Sequence, residues 1–140
     1  MKDRIVLETE CFKLSLDFQV FESDISYPSN TILSVCVLSE GFSAFTTMDI
    51  DIKDVVSFCN ELQKVYDSLS GEAKIHEPFG NRQYILFSGD KKGHIHISGT
   101  LSSNGAKGFW QELKFENIID QTFLPEFIKN LVAFSKLCIK

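Results

Sequence analysis

The sequence predicts an α+β fold: a single domain with a mainly antiparallel β-sheet of about six to eight strands, packed with two α-helices. Three observations carry this prediction. Apolar and polar residues alternate with a period of two through most of the chain, only two segments switch to a helical period, and clusters of turn residues separate the alternating runs. The 140 residues fit one domain that can bury a core without disulfides or metal. No linker or repeat divides the chain.

The elements follow in order. Arg4 to Glu8 is a short strand. Cys11 to Val20 alternates most clearly, with Phe12, Leu14, Leu16, Phe18 and Val20 on one face and Lys13, Ser15, Asp17 and Gln19 on the other. One face is core and one is wet, as in an antiparallel sheet. Glu22 to Asn30 is a loop. Thr31 to Leu38 is apolar at nearly every position and predicts a central strand covered on both faces, with Cys36 a buried thiol. Glu40-Gly41 is a turn, and Phe42 to Met48 returns as a strand.

Asp51 is placed to cap the first helix, with Asp54 three positions on as a carboxylate variant of the capping box. Ile52, Val55, Val56, Cys59, Leu62, Val65, Tyr66 and Leu69 form its apolar stripe. Gly71 is the expected left-handed residue at its end. Ala73 to Glu77 is a short strand, Pro78 to Asn81 a turn, and Gln83 to Ser88, His94 to Leu101 and Phe109 to Ile118 form a meander. Asn104-Gly105 marks the turn in the last hairpin. Gly99 reads as a bulge or a close backbone approach. Asp120 is placed to accept backbone N–H groups at the strand-to-helix junction. Thr122 is the expected cap of the last helix, and Pro125 falls in its first turn, where a missing N–H costs nothing. Leu124, Phe127, Ile128, Leu131 and Phe134 form the buried stripe.

Composition narrows the function. The net charge is −5, with 14 Lys and Arg against 19 Asp and Glu, which argues against a protein that tracks nucleic-acid phosphates. The first 60 residues carry four bases and ten acids, a net of −6; the remainder carries ten bases and nine acids, a net of +1. Such a field attracts basic partners. No apolar run reaches the ~18 residues needed to span a bilayer. The N-terminus, MKDRIVLETE, lacks the apolar stretch of a signal peptide, so a cytoplasmic location without membrane attachment is expected. Cys11, Cys36, Cys59 and Cys138 are scattered, with no zinc or redox spacing, and are expected to be free.

Few residues suggest chemistry. His94-x-His96 puts two imidazoles on one face of a strand, with His76 a possible third metal ligand from another strand. The same face carries Ser98 and Thr100 while Ile95 and Ile97 fill the other, which is the pattern of a half-solvated strand without metal. There is no HExxH, no GxSxG, no phosphate-binding glycine loop and no motif around any Cys. Glu112 and Glu116 flank Lys114 as a charge ladder. Trp110 is expected to pack at the sheet end, with anchoring of a partner as its other reading. No catalytic set and no cofactor are expected.

Gly93-His94-Ile95-His96-Ile97-Ser98-Gly99, then Leu113-Lys114-Phe115, then Ile119-Asp120-Gln121-Thr122-Phe123-Leu124 and Phe127-Ile128 resemble the WapI-type family of bacterial immunity proteins. The strand from Phe42 to Met48 followed by the helix is similar in layout. The resemblance implies a non-enzymatic cytoplasmic protein that binds and blocks the C-terminal toxin domain of a polymorphic toxin, often a nuclease and therefore basic. It implies no site residues. The acidic residues of the first 60 positions that lie in turns and element ends are the expected partner-binding set: Glu22 and Asp24, Glu40, Asp49 and Asp54, with Asp51 also serving as a cap. The alternatives are a small metal-dependent enzyme using His94 and His96, and a structural or adaptor domain.

Overall fold

The computed structural model describes residues 4–78 and 83–138, with side chains to residue 136. The chain is built as two successive units of the same plan. The first is β1 (Arg4–Glu8), β2 (Phe12–Val20), β3 (Thr31–Ser39), β4 (Phe42–Ile50) and helix α1 (Ile52–Ser68). The second is β5 (Glu72–His76), β6 (Tyr84–Gly89), β7 (His94–Ser103), β8 (Gln111–Asp120) and helix α2 (Leu124–Cys138). Each set of four strands is an antiparallel meander in sequential order. The α+β expectation holds, and the strands are divided between two sheets of four. The division follows from α1: its buried stripe packs on β5 and β6, so the second meander starts afresh rather than extending from β4.

The helices cross between the units. α1, which closes the first unit, lies against β5 of the second, while α2, which closes the second, packs against β1 of the first. Four aromatic contacts show how this makes one core. Phe58 of α1 meets Phe87 of β6 edge-on at 5.7 Å, and Phe87 stacks with Phe127 of α2 at 5.9 Å. Phe134 of α2 stacks with Phe18 of β2 at 4.8 Å, and Phe12 of β2 with Phe115 of β8 at 5.9 Å.

Local chemistry sets the boundaries. The Asp51 carboxylate accepts from the Lys53 amide, and the Asp54 carboxylate accepts from the Asp51 amide, completing the capping box; such a cap contributes about 1 kcal/mol. Leu69, at φ 57°, takes the left-handed position that ends α1, and Gly71 follows at φ 83°. The Asp120 carboxylate accepts from both the amide and the hydroxyl of Thr122. Asp120 therefore caps the junction where Thr122 was expected to, and Thr122 is its donor. At Gly99 an added Cβ would sit 2.5 Å from the Tyr84 carbonyl oxygen and 2.7 Å from the Phe115 ring, which is the close approach its position in a strand suggested.

Three expectations need correction: the bounds of the last strand, the covering of β3 and the burial of Cys36. The strand read as Phe109 to Ile118 is Gln111–Asp120, so Phe109 and Trp110 lie in the connection before it and are exposed. β3 is covered on one face only: Leu33, Val35 and Val37 are buried, while Cys36 and Leu38 stand on an open outer face. Cys36 is thus an exposed thiol and not a buried one; a continuous apolar run does not tell a doubly covered strand from one with apolar residues facing water. The expected turn at 78–81 lies, from Phe79 on, outside the described residues.

Candidate functional site

The acidic residues expected to bind a partner fall at two ends of the first sheet. Val20, Thr31 and Ile50 are register partners, so the β2–β3 loop and the β4–α1 junction lie side by side at one end. Glu22, Asp24, Asp49, Asp51 and Asp54 are brought together there. Glu40 is not. It occupies the β3–β4 turn at the opposite end, at φ 50°, with its amide donating to the Cys11 carbonyl. Nine-residue strands at ~3.3 Å per residue put roughly 30 Å between the two ends.

The loop end is a built surface. Phe21 and Asn30 close the loop through a backbone bond of 2.8 Å, and a short 3-10 turn at Glu22–Asp24 folds it back. Asn30, 1% exposed, is its peg. Its amide nitrogen donates to the carbonyls of Ile25 and Tyr27 and to the Asp51 carboxylate, and its side-chain oxygen accepts from the Ile52 amide and the Thr31 hydroxyl. One buried amide thus fixes the loop to the helix cap. On this loop Phe21, Ile25 and Tyr27, the last 64% exposed, accompany the exposed residues Glu22 and Asp24. Exposed apolar and aromatic side chains on a backbone pinned in this way, beside charged residues, are the composition of a protein-binding surface. Asp54 faces this end with one oxygen committed to the Asp51 amide.

Asp49 belongs to a second network that sequence reading missed. Its amide donates to the buried Glu77 carboxylate at 2.8 Å. Gln83, 2% exposed, donates to that carboxylate and to the Thr47 carbonyl, and accepts from the Ser102 amide. Glu77 and Gln83 therefore stitch the edge of β4 to the second sheet. No local pattern announces such a role, because each partner lies 19 to 36 residues away, the neighbouring pair of Glu77 and Gln83 apart.

The histidines lie on the outer face of the second sheet. His94 Nδ1 is 3.4 Å from Asp90, whose carboxylate accepts from the amides of Lys92 and His94. These bonds, Lys92 first, hold the Asp90 carboxyl below the usual carboxylate range. His76 pairs through Tyr84 with Thr100, four residues along β7 from His96. That is ~13 Å along the sheet and roughly 10 Å across it, too far for a shared metal. Among the described residues, no three His, Cys, Asp or Glu side chains are grouped to hold a metal ion, and no helix is long and apolar enough to cross a membrane. Cys11, Cys36 and Cys59 are free. Burial pushes the Cys59 thiol up to about 11.

The family described as the immunity protein WapI-like family matches residues 7–136, nearly the whole chain and both of its units. The chain belongs to the WapI-like immunity protein family. No curated protein matches it. Among solved structures, the crystal structure of WHY1 from Arabidopsis thaliana is similar with a TM-score of 0.51 and 9% identity, covering 99% of this chain and 84% of that one. At that identity the likeness is one of fold alone. For a WapI-like immunity protein, the relevant surface is one that receives another protein.

Proposed function

We propose that this WapI-like protein neutralises the toxin domain of a polymorphic toxin by binding it, without catalysis, in the cytoplasm of the cell that makes both. The toxin domain is basic, as a nuclease must be to hold phosphate backbones. The loop end of the first sheet receives it. The observation that carries this reading is the juxtaposition of Glu22 and Asp24 with exposed Tyr27 on a loop pinned by Asn30. The carboxylates steer a basic partner, and the aromatic residues give it a fixed surface that loses little freedom on binding. Family membership and the concentration of negative charge in the first 60 residues support the same reading.

The test has two parts. The gene should adjoin a reading frame for a polymorphic toxin; cells expressing the C-terminal domain of that toxin should die, and co-expression of this protein should rescue them. In association kinetics with an inactivated toxin domain, Glu22→Gln with Asp24→Asn should slow the on-rate roughly tenfold at low salt, with the difference shrinking as salt rises. Glu40→Gln, at the far end, should change it less. Equal on-rates at low salt for wild type and the double variant would remove the acidic loop from the mechanism. Failure to rescue would remove the immunity reading for this pair.

A further inference from the structure

We propose that the cleft between β4 and the β7–β8 hairpin binds an extended segment of the toxin domain, which adds as a strand to the open end of β4. This rests on the reading of the protein as a toxin-binding immunity protein and names a second contact of a different kind, at the other end of the same sheet.

β4 is the last strand of its sheet. In an antiparallel pair, alternate residues turn their main-chain groups toward the partner and away from it. Thr47 and Asp49 show which phase of β4 faces outward: the Thr47 carbonyl meets Gln83, and the Asp49 amide meets Glu77. Ser43 and Phe45 share that phase. Among the described residues, nothing bonds to their amides or carbonyls. The edge is therefore covered by side chains along its second half and open along its first. A row of free N–H and C=O groups at two-residue spacing is matched by the backbone of another extended chain.

The space beside this open edge is a cleft of about 470 Å³, walled by Phe42 to Thr46 on one side and by Leu101 to Ser103 and Gln111 to Leu113 on the other. Ser102 is the telling residue. It is 6% exposed, its amide donates to Gln83, its carbonyl accepts from the Thr46 hydroxyl, and its own hydroxyl has no partner. A buried hydroxyl left without a hydrogen bond is unfavourable, and this one lies in the cleft wall, where an occupant with a polar group would satisfy it. Phe42 and Phe45, each 68% exposed, flank the open backbone as apolar anchors. Phe109 and Trp110, also exposed, immediately precede the wall residue Gln111.

The occupant is a strand of the basic partner, not a second copy of this chain. Two copies carry −5 each and repel, and the rim adds Glu40 in the turn before Phe42 and Glu112 in the wall. A segment alternating apolar residues with Lys or Arg fits both the aromatic anchors and this rim.

Hydrogen exchange on the full chain, free and bound to the inactivated toxin domain encoded beside its gene, tests the idea. The Ser43 and Phe45 amides should exchange at least tenfold more slowly in the complex. Phe45→Ala and Ser102→Ala should each raise the dissociation rate, about tenfold and a few-fold respectively, while leaving the salt dependence of association unchanged. Ser43→Pro, which removes the donated N–H, should act like Phe45→Ala. Protection of residues 21–30 with unchanged exchange at Ser43 and Phe45 would overturn the added strand while leaving toxin binding at the loop end intact. Absence of any complex would overturn both readings. Protection of Ser43 and Phe45 in the free protein, rising with concentration alongside a dimeric mass, would assign the edge to a second copy and overturn the proposal.

Discussion

The two units of the chain share a frame and differ in where they spend extra residues. Both are four-stranded meanders closed by a helix, and in both an Asp at the strand-to-helix junction accepts from the amide two residues on, Asp51 from Lys53 and Asp120 from Thr122. Between its second and third strands, the first unit carries the loop 21–30 with its acids and exposed aromatics, where the second has only 90–93 between β6 and β7. The last hairpins reverse this. The first unit turns on Glu40 and Gly41, and the second extends through 104–110, with Phe109 and Trp110 exposed. The comparison separates frame from surface: what the units share holds the core, and what each has in surplus leaves aromatic side chains exposed to solvent.

The largest effect is expected where the units cannot be told apart, in the common core. Phe127 is 1% exposed and stacks on Phe87, so Phe127→Ala should cost about 3–5 kcal/mol. Denaturant unfolding followed by both fluorescence and circular dichroism should show one transition, shifted as a whole. Two separated transitions would break the view of a single core, and a loss under about 1 kcal/mol would show that Phe127 is not part of it.

A smaller effect should distinguish the units. Asn30→Ala removes the peg of the long loop and leaves the Ile52 amide and the carbonyls of Ile25 and Tyr27 without their partner. A cost of about 2–3 kcal/mol is expected, with faster exchange in 21–30 and a weaker complex. Unchanged exchange in the loop would mean that Asn30 does not hold it.

The smallest effect belongs to the second unit and depends on pH. The Asp120 carboxyl is held below the usual range, first by the Thr122 hydroxyl and then by its amide, and Asp90 is lowered chiefly by the Lys92 amide. Because the folded state favours their charged forms, the stabilisation is fully present above the unfolded pKa of about 3.9 and is lost as pH falls through the lower folded value. Asp120→Asn should therefore narrow the difference in urea midpoint between pH 6 and pH 3. An undiminished difference would remove Asp120 from the acid response.

Much of this frame was legible in the chain. The alternation from Phe12 to Val20, the capping box at Asp51 and Asp54, and the acceptor at Asp120 are set by neighbours a few residues apart, and local pattern reports local chemistry well. The division into two sheets was not legible, because a meander requires only alternation and leaves no trace of which strand it stops beside. The exposure of Cys36 and Leu38 was hidden for a related reason: an apolar residue on an open face looks the same in sequence as one in the core. Of the candidate site, the acids were visible through their charge, but their grouping was not. Glu40 parts from Glu22 and Asp24 through strand register, and Asn30 gains its role from residues 21 and 22 positions away.

The crossing of the helices has a consequence for how the protein is born. β1 leaves the ribosome early, but α2, which covers it, follows roughly 120 residues later, or on the order of 6–24 s at ordinary rates of translation. During that interval Phe18 has no Phe134 to stack on, and the first meander is a sheet with one apolar face bare. The first unit cannot be finished ahead of the second. The binding surface of the first sheet therefore rests on a core that is completed only after the last helix has emerged, and the chain depends on its own C-terminus to cover what it makes first.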